Sequence, residues 1–175
     1  YWRDRLVDAG VGVEGPDERF DERVLRFRDP SGTHVELATD GRADPTDSGT
    51  WTEQVPERVA IRGIAGVSVL SVNPFATATT LETLGFEYDR ESDERVRYRT
   101  GSDLATAVDI VHRESEFGRE GPGTLHHVAV RVETEDALHD WREYFDEHGY
   151  DVSRVKDRHF FHSLYVREPG GVLVE

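Results

Sequence analysis

The chain has 175 residues, a formal net charge of −15 and no cysteine. Because there is no cysteine, disulfides and thiolate ligands are excluded, and a metal site would have to use His, Asp and Glu side chains. The acidic balance also argues against nucleic acid as a partner, since the sequence has no basic cluster to displace the counterions of phosphates.

The acidic residues are spread along the whole chain, and Lys156 is the only lysine. This composition favours a protein that stays soluble in concentrated salt, because carboxylates hold water while salt screens their repulsion. An acidic surface that attracts cations or basic partners is the alternative. The apolar runs are far shorter than the roughly 20 residues that span a bilayer. We therefore expect a halophilic, cytoplasmic protein without a membrane partner.

Residues 1–40 predict the end of a helix followed by strands, and this pattern recurs at the other end of the chain. Residues 1–36 align without a gap with residues 140–175. The first copy covers only half of the repeated unit, so residues 1–40 are predicted to be the C-terminal part of a degenerate βαβββ module. The aligned pairs include Trp2 and Trp141, Gly10 and Gly149, Arg19 and Arg158, Pro30 and Pro169, and Glu36 and Glu175.

Residues 41–60 are rich in Gly, Pro, Asp, Ser and Thr, which is typical of a linker. Residues 61–114 then predict a whole βαβββ module whose helix ends at Gly85. This module has Gly66 at the position that His127 occupies in the last module, so it is predicted to lack metal ligands. Its predicted elements are a strand at 66–72, a helix at 74–84, and strands at 96–99 and 107–111.

Residues 123–175 predict a second whole module, which carries the candidate chemistry. A strand at 125–132 (LHHVAVRV) precedes a helix with Trp141, Tyr144 and Phe145 at helical spacing. The fold class is therefore α+β, with tandem βαβββ modules. Further strands are predicted at 150–152, 163–167 and 172–175, the last one after a turn at 168–171.

Tandem βαβββ modules are the building plan of the vicinal-oxygen-chelate superfamily, which includes glyoxalases, bleomycin resistance proteins and extradiol dioxygenases. Residues 157–175 (DRHFFHSLYVREPGGVLVE) are similar to the extradiol ring-cleavage signature, in which a His precedes a hydrophobic-Tyr pair, a Pro-Gly turn and a final Glu. Together with HHVAVRV before the helix, this pattern resembles the hydroquinone-linked group of ring-cleaving dioxygenases. The resemblance implies curved mixed sheets and an extradiol-type ring-cleaving enzyme.

The candidate metal ligands are His127 and Glu175. Alternate side chains of a strand share a face, so His127 points away from the valines packed beneath the helix, and His126 points the other way. A register slip of one residue would exchange the two histidines. The resemblance implies a His ligand on the first strand and a Glu ligand on the last. It also implies Fe(II) held by two His and one carboxylate, with Mn(II), Zn(II) or Ni(II) as alternatives.

A third ligand is missing from this set. The middle module cannot supply it, because Ala65 and Gly66 have no metal-binding side chains. We therefore expect the third ligand from an N-terminal βαβββ module outside this sequence, with a His on its first strand. Glu36, which aligns with Glu175, is interpreted as structural or vestigial, because the middle module has no His to complete a site with it.

The resemblance also implies the substrates and the catalytic side chains. The metal would bind a small aromatic diol of the catechol or hydroquinone type, together with O2. His162 or His159 would act as general acid/base; four residues separate His159 from Leu164, where the signature has slightly more. Tyr165 would donate a hydrogen bond or a proton to the bound substrate.

Each candidate residue also has a structural interpretation. A lone His on a strand is more often hydrogen-bonded than metal-bound, Glu175 could be a surface acid, and Tyr165 could be a buried aromatic. Two other functions use the same fold: a glyoxalase-type isomerase or thiol transferase without O2, and a non-catalytic protein that binds a small aromatic or drug. Assembly into a homo-oligomer stays open for all of them.

Overall fold

The structure, a computed structural model, describes residues 1–39, 53–92, 94–101, 106–113 and 117–175. These residues form two compact units, which are described separately: one lies mainly within residues 1–66, and the other comprises most of residues 67–175. The linker predicted at 41–60 falls largely outside the described residues, and its described part contains the short 3-10 helix Glu57–Val59. No helix of the described chain is long and apolar enough to cross a membrane.

Besides the 3-10 helix, the described part of the first unit contains one α-helix and one antiparallel sheet. Helix α1 (Trp2–Asp8) is followed by strands β1 (Val13–Arg19), β2 (Glu22–Arg28) and β3 (His34–Ala38) in the order β1-β2-β3. The helix is followed by Gly10, which has a φ of 78° and donates its N–H to the carbonyl oxygen of Val7 at 2.9 Å. A positive φ costs glycine little, so Gly10 can adopt the left-handed conformation that follows the helix.

The second unit begins with a four-stranded sheet and a helix. The Asn73 side chain caps α2 by accepting the N–H of Ala76, and Pro74 occupies the first turn, where its missing N–H costs nothing. The strand order is β4-β7-β6-β5. The sequence did not predict β5, because its residues are almost all polar and show no apolar alternation. The elements are β4 (Gly66–Leu70), α2 (Pro74–Thr83), β5 (Glu87–Ser92), β6 (Arg95–Arg99) and β7 (Ala107–Val111).

The last module consists of one long helix and several two-residue strands. Strands pair in the order β12-β11-β8, and β9 and β10 form a separate hairpin. The strand predicted at 163–167 is divided between β10 and β11. The strand predicted at 125–132 is an extended segment with one parallel bridge, from Val128 to Val174. Three backbone hydrogen bonds join this segment to residues 173–175. The elements are α3 (Glu135–Glu147), β8 (Asp151–Val152), β9 (Lys156–Asp157), β10 (His162–Ser163), β11 (Val166–Arg167) and β12 (Leu173–Val174).

Two apolar clusters hold this second unit together. One lies between α2 and the four-stranded sheet and includes Val69, Leu81 and Ile110; Val128 and Val130 of the extended segment pack against it. The other lies under α3, where Leu138 and Phe145 are buried together with Leu164 and Val166. Packing of the alternating valines fixes the face on which the residues between them lie.

The repeat found in the sequence is also visible in local geometry. Both copies have a residue with positive φ at the hairpin tip and an arginine bonded to the carbonyl oxygen of a glycine four residues later. At these two points the aligned residues of the two copies have similar local geometry, although the strands of the first copy are longer. The recurring features are φ values of 55° at Phe20 and 74° at His159, and hydrogen bonds of 2.8 Å from Arg28 to Gly32 and 3.1 Å from Arg167 to Gly171.

Candidate metal centre

His127 and Glu175 meet at the junction of the extended segment and the last strand. The Val128 N–H donates to Leu173 at 3.0 Å, and the Glu175 N–H donates to Val128 at 2.9 Å, so the two backbones run side by side. His127 Nε2 lies 2.6 Å from Glu175 Oε2. A carboxylate oxygen accepts hydrogen bonds, so Nε2 carries the hydrogen in this contact. The imidazole side chain is 32% exposed and the carboxylate 12%, which leaves the pair accessible from one side.

Tyr165 occupies the other oxygen of the same carboxylate. Its hydroxyl group donates to Glu175 Oε1 at 2.7 Å, and its ring stands edge-on to the His127 ring at a centroid distance of 5.7 Å. The backbone of Tyr165 is fixed by two hydrogen bonds with Ser153, of 2.8 and 3.0 Å. Glu175 therefore has one oxygen bound by the phenol and one that faces the imidazole.

Arg158 and Lys156 surround the Tyr165 ring. Arg158 Nη2 donates to the Tyr165 hydroxyl oxygen at 2.9 Å, and the Lys156 ammonium lies 4.9 Å from the ring centroid. Neither residue was among the candidates predicted from the sequence. The one available signal was the alignment of Arg158 with Arg19 in the repeat, which marks a retained arginine but does not reveal its partner.

His126 contacts His127 instead of lying on the opposite face. The two Nδ1 atoms are 2.9 Å apart and the rings meet edge-on, while His126 Nε2 lies 3.8 Å from Glu120 Oε1. The strict alternation expected here holds only within a regular ladder, and residues 125–127 precede the single bridge at Val128. The imidazole that faces Glu175 is that of His127.

The two predicted acid/base histidines have their contacts on the β9–β10 hairpin and α3. His162 Nδ1 lies 3.7 Å from Glu135 Oε2 in the first turn of α3. His159 is at the hairpin tip, where its backbone N–H donates to Asp157 Oδ1 at 2.7 Å and its ring stands edge-on to Phe160. Of the five predicted site residues, these contacts join His127, Glu175 and Tyr165 directly to one another.

The degenerate copy holds its carboxylate in a different way. Glu36 forms ion pairs with Arg19 and with Arg26, the latter at 3.3 Å between Oε1 and Nε. Both carboxylate oxygens are therefore engaged by guanidinium groups. This arrangement supports the structural interpretation of Glu36, because cations already compensate its charge.

The middle module carries a buried ion-pair cluster on its sheet. Arg97 donates from Nε and Nη2 to the two oxygens of Asp109, at 2.6 and 2.9 Å, and Arg95 Nη1 donates to Oδ2 at 2.9 Å. Burial acts to raise the pKa of Asp109, but hydrogen bonds and charge from Arg97, with those of Arg95, outweigh it and hold the pKa below its usual value of 3.8. Because both oxygens of the Asp109 carboxylate are bonded to arginines, we interpret this cluster as stabilising the fold.

The donor atoms at His127 and Glu175 suit a divalent metal, but they form an incomplete set. An imidazole nitrogen and a carboxylate oxygen are ligands for Fe, Mn, Zn and Ni. Within the described residues, no group of three or more His, Cys, Asp or Glu side chains could hold a metal ion. The pair therefore offers two of the donor groups that such a centre needs.

Comparison with known proteins identifies a superfamily and a solved structure that the chain resembles. A family model described as "Glyoxalase/Bleomycin resistance protein/Dioxygenase superfamily" matches residues 81–175. The crystal structure of a "putative dioxygenase" from Bacillus subtilis superposes with a TM-score of 0.87 and 35% identity, covering 99% of this chain and 55% of that one. The predicted α+β fold of the glyoxalase type is thereby confirmed.

Several relatives match along the whole chain, among them the following two. "Putative ring-cleaving dioxygenase MhqO" of Bacillus subtilis (strain 168) is 36% identical, and "Chlorohydroquinone/hydroquinone 1,2-dioxygenase" of Sphingobium indicum is 31% identical. The matches cover 55% and 56% of those proteins, so the chain spans slightly more than half of their length. The predicted resemblance to hydroquinone-linked ring-cleaving dioxygenases is confirmed.

Proposed function

Because this chain belongs to the glyoxalase/bleomycin resistance protein/dioxygenase superfamily, we propose that it forms part of a metal-dependent, extradiol-type ring-cleaving dioxygenase. The proposed substrates are O2 and a small aromatic diol of the catechol or hydroquinone type, in keeping with the relative named for hydroquinone. The observation that carries the proposal is the 2.6 Å approach of His127 Nε2 to Glu175 Oε2, with Tyr165 on the other carboxylate oxygen.

The proposed metal is Fe(II), with Mn(II), Zn(II) or Ni(II) as alternatives, and its ligands in this chain are His127 and Glu175. A second histidine would complete the two-His, one-carboxylate arrangement that suits non-haem Fe(II). We propose that this histidine lies on the first strand of another βαβββ module of the full-length protein. Support for a ligand outside the described residues comes from their lack of a three-residue donor group.

The chain's own residues would orient the substrate and move its protons. When bound, the metal would supply a positive centre that lowers the pKa of the substrate hydroxyl groups. Tyr165 would hold Glu175 in place and present its phenol beside the substrate. His162 and His159 are the proposed general acid/base residues. In the structure, His162 Nδ1 contacts Glu135. Either histidine would have to lie within hydrogen-bond distance of a substrate hydroxyl group to act on it.

Oxygen uptake by the iron-loaded protein tests this proposal. The full-length protein is loaded with Fe(II) without air, its iron content is measured, and catechols and hydroquinones are added in an oxygen electrode. Substrate-dependent uptake is the expected result. Iron-loaded protein that consumes no O2 with any diol would overturn the dioxygenase proposal, and turnover with Zn(II) or Ni(II) in the absence of O2 would favour the isomerase or transferase alternative.

The ligand assignment is tested by metal content in matched variants. We expect each of the variants His127→Ala and Glu175→Gln to lose most of the bound metal, because only one of the two metal ligands in this chain remains. His34→Ala is the control, since His34 is an exposed histidine on β3. A His127→Ala protein that keeps as much metal as the control would show that His127 is not a ligand.

A further inference from the structure

We infer that Arg158 is a positioning residue that holds the Tyr165 hydroxyl group as a hydrogen-bond donor to Glu175. Arg158 acts on the site through Tyr165: the phenol oxygen accepts from the guanidinium group, and the phenol hydrogen is directed at the carboxylate. The inference rests on the proposed function in one respect only, the role of Glu175 as a metal ligand. The orientation of Tyr165 does not depend on that role.

The donor inventory of the two side chains allows one arrangement of hydrogens. A guanidinium group has only donors, so the 2.9 Å contact between Arg158 Nη2 and the Tyr165 oxygen uses a lone pair of the phenol. The single phenol hydrogen is then left for Glu175 Oε1, at 2.7 Å. Arg158 therefore favours the state in which Tyr165 donates to Glu175.

The arginine is held in place from two sides. Its Nε atom donates to the hydroxyl of Ser163 at 3.3 Å, and Ser163 is only 3% exposed. Its backbone N–H donates to the carbonyl oxygen of Phe161 at 2.9 Å, across the tip of the β9–β10 hairpin. The guanidinium carbon lies 5.3 Å from the centroid of the Tyr165 ring, within the range of a cation–π contact. These contacts fix the orientation of the Arg158 guanidinium group.

The repeat provides an internal comparison for this role. In the first copy, Arg19 bonds directly to Glu36, and a second guanidinium group, that of Arg26, occupies the position of the tyrosine. In the last copy, a phenol stands between the retained arginine and the carboxylate. The carboxylate is then bound by one neutral donor, and its second oxygen stays directed at His127. The aligned pairs are Arg19 with Arg158, Arg26 with Tyr165, and Glu36 with Glu175.

The orientation of Tyr165 is tested first in the metal-free full-length protein. The intensity ratio of the tyrosine doublet in a Raman spectrum depends on whether the phenol donates, accepts or does both. The spectrum of Tyr165→Phe is subtracted to remove the other tyrosines. Arg158→Met should shift the Tyr165 ratio towards that of a phenol that only donates, and Arg158→Lys should restore part of the original ratio. An unchanged ratio in Arg158→Met would overturn the inference.

The consequence for the site is tested by a double-mutant cycle on Co²⁺ affinity. Arg158→Met should weaken Co²⁺ binding about 10-fold, at the lower end of the effect of residues that support metal ligands. The same substitution in a Tyr165→Phe background should have almost no further effect, because the hydroxyl group through which it acts is gone. An equal loss in both backgrounds would show that Arg158 does not act through Tyr165.

Arg154→Met serves as the matched control, since Arg154 is exposed and lies in the same module. It should leave both the Raman ratio and the Co²⁺ affinity unchanged. If the wild-type protein bound no Co²⁺, the proposed metal site would fall, and the Raman result alone would decide whether Arg158 orients Tyr165. The two failures are therefore distinguishable.

Discussion

Replacing Glu168 with glutamine would remove one buried acceptor while keeping the shape of the side chain. Glu168 is 2% exposed and lies in the turn before β12, the strand that leads to Glu175. Its Oε2 atom accepts the N–H of Gly170 at 2.7 Å and the hydroxyl of Thr77 at 3.0 Å, and its Oε1 atom accepts the N–H of Val172 at 2.7 Å. The carboxylate thus bonds to two backbone N–H groups at the turn and to a side chain of α2.

The expected cost follows from these three hydrogen bonds. The amide oxygen of glutamine can replace Oε2 and keep two of them. The amide NH2 group then faces the N–H of Val172, which loses its acceptor, and a buried donor left unsatisfied costs about 1–3 kcal/mol. The two remaining bonds also lose their charge assistance, whereas the neutral amide is easier to bury. We expect Glu168→Gln to lower the free energy of unfolding by about 2 kcal/mol.

Urea unfolding followed by circular dichroism measures this change. Glu147→Gln is the control, because Glu147 is exposed at the end of α3, and it should change the free energy of unfolding by less than about 0.5 kcal/mol. If Glu168→Gln were as stable as this control, the hydrogen bonds of the Glu168 carboxylate would not be what stabilises the turn.

Two further predictions concern the buried groups of the second unit. Asp109→Asn should lower the free energy of unfolding by about 3 kcal/mol at neutral pH, because Arg97 and Arg95 lose a buried ionic partner. The pKa of Asp109 is below 3.8 in the folded protein. The stability that the ionised carboxylate contributes is therefore complete above pH 3.8 and is lost as the pH falls through the folded pKa. Urea titrations should show the free energies of unfolding of the variant and the wild type converging as the pH falls below 3.8. A difference that stays constant down to the lowest pH would contradict this. Phe145→Ala should cost about 3–5 kcal/mol in the same assay, since Phe145 is 3% exposed in the core under α3; a loss below about 1 kcal/mol would mean that the core refills the cavity.

Much of the fold could be predicted from residues close together in the sequence. α3 followed from Trp141, Tyr144 and Phe145 at helical spacing, and the end of α2 followed from Gly85, which has a φ of 86°. Cap residues and apolar spacing act over one or two turns, so their effect is local. Strand β5 (Glu87–Ser92) escaped prediction because its pairing with β6 comes from backbone hydrogen bonds, which polar side chains do not reveal.

The candidate site divides in the same way. The sequence by itself revealed the internal repeat and indicated His127, Tyr165 and Glu175, because short motifs and aligned copies can be recognised along the chain. Only the tertiary structure decided which oxygen of Glu175 faces His127, that His126 contacts its neighbour, and that Arg158 binds Tyr165. These contacts depend on how a two-residue strand, a hairpin and an extended segment pack together, and side-chain direction outside regular strands has no fixed period from which it could be predicted.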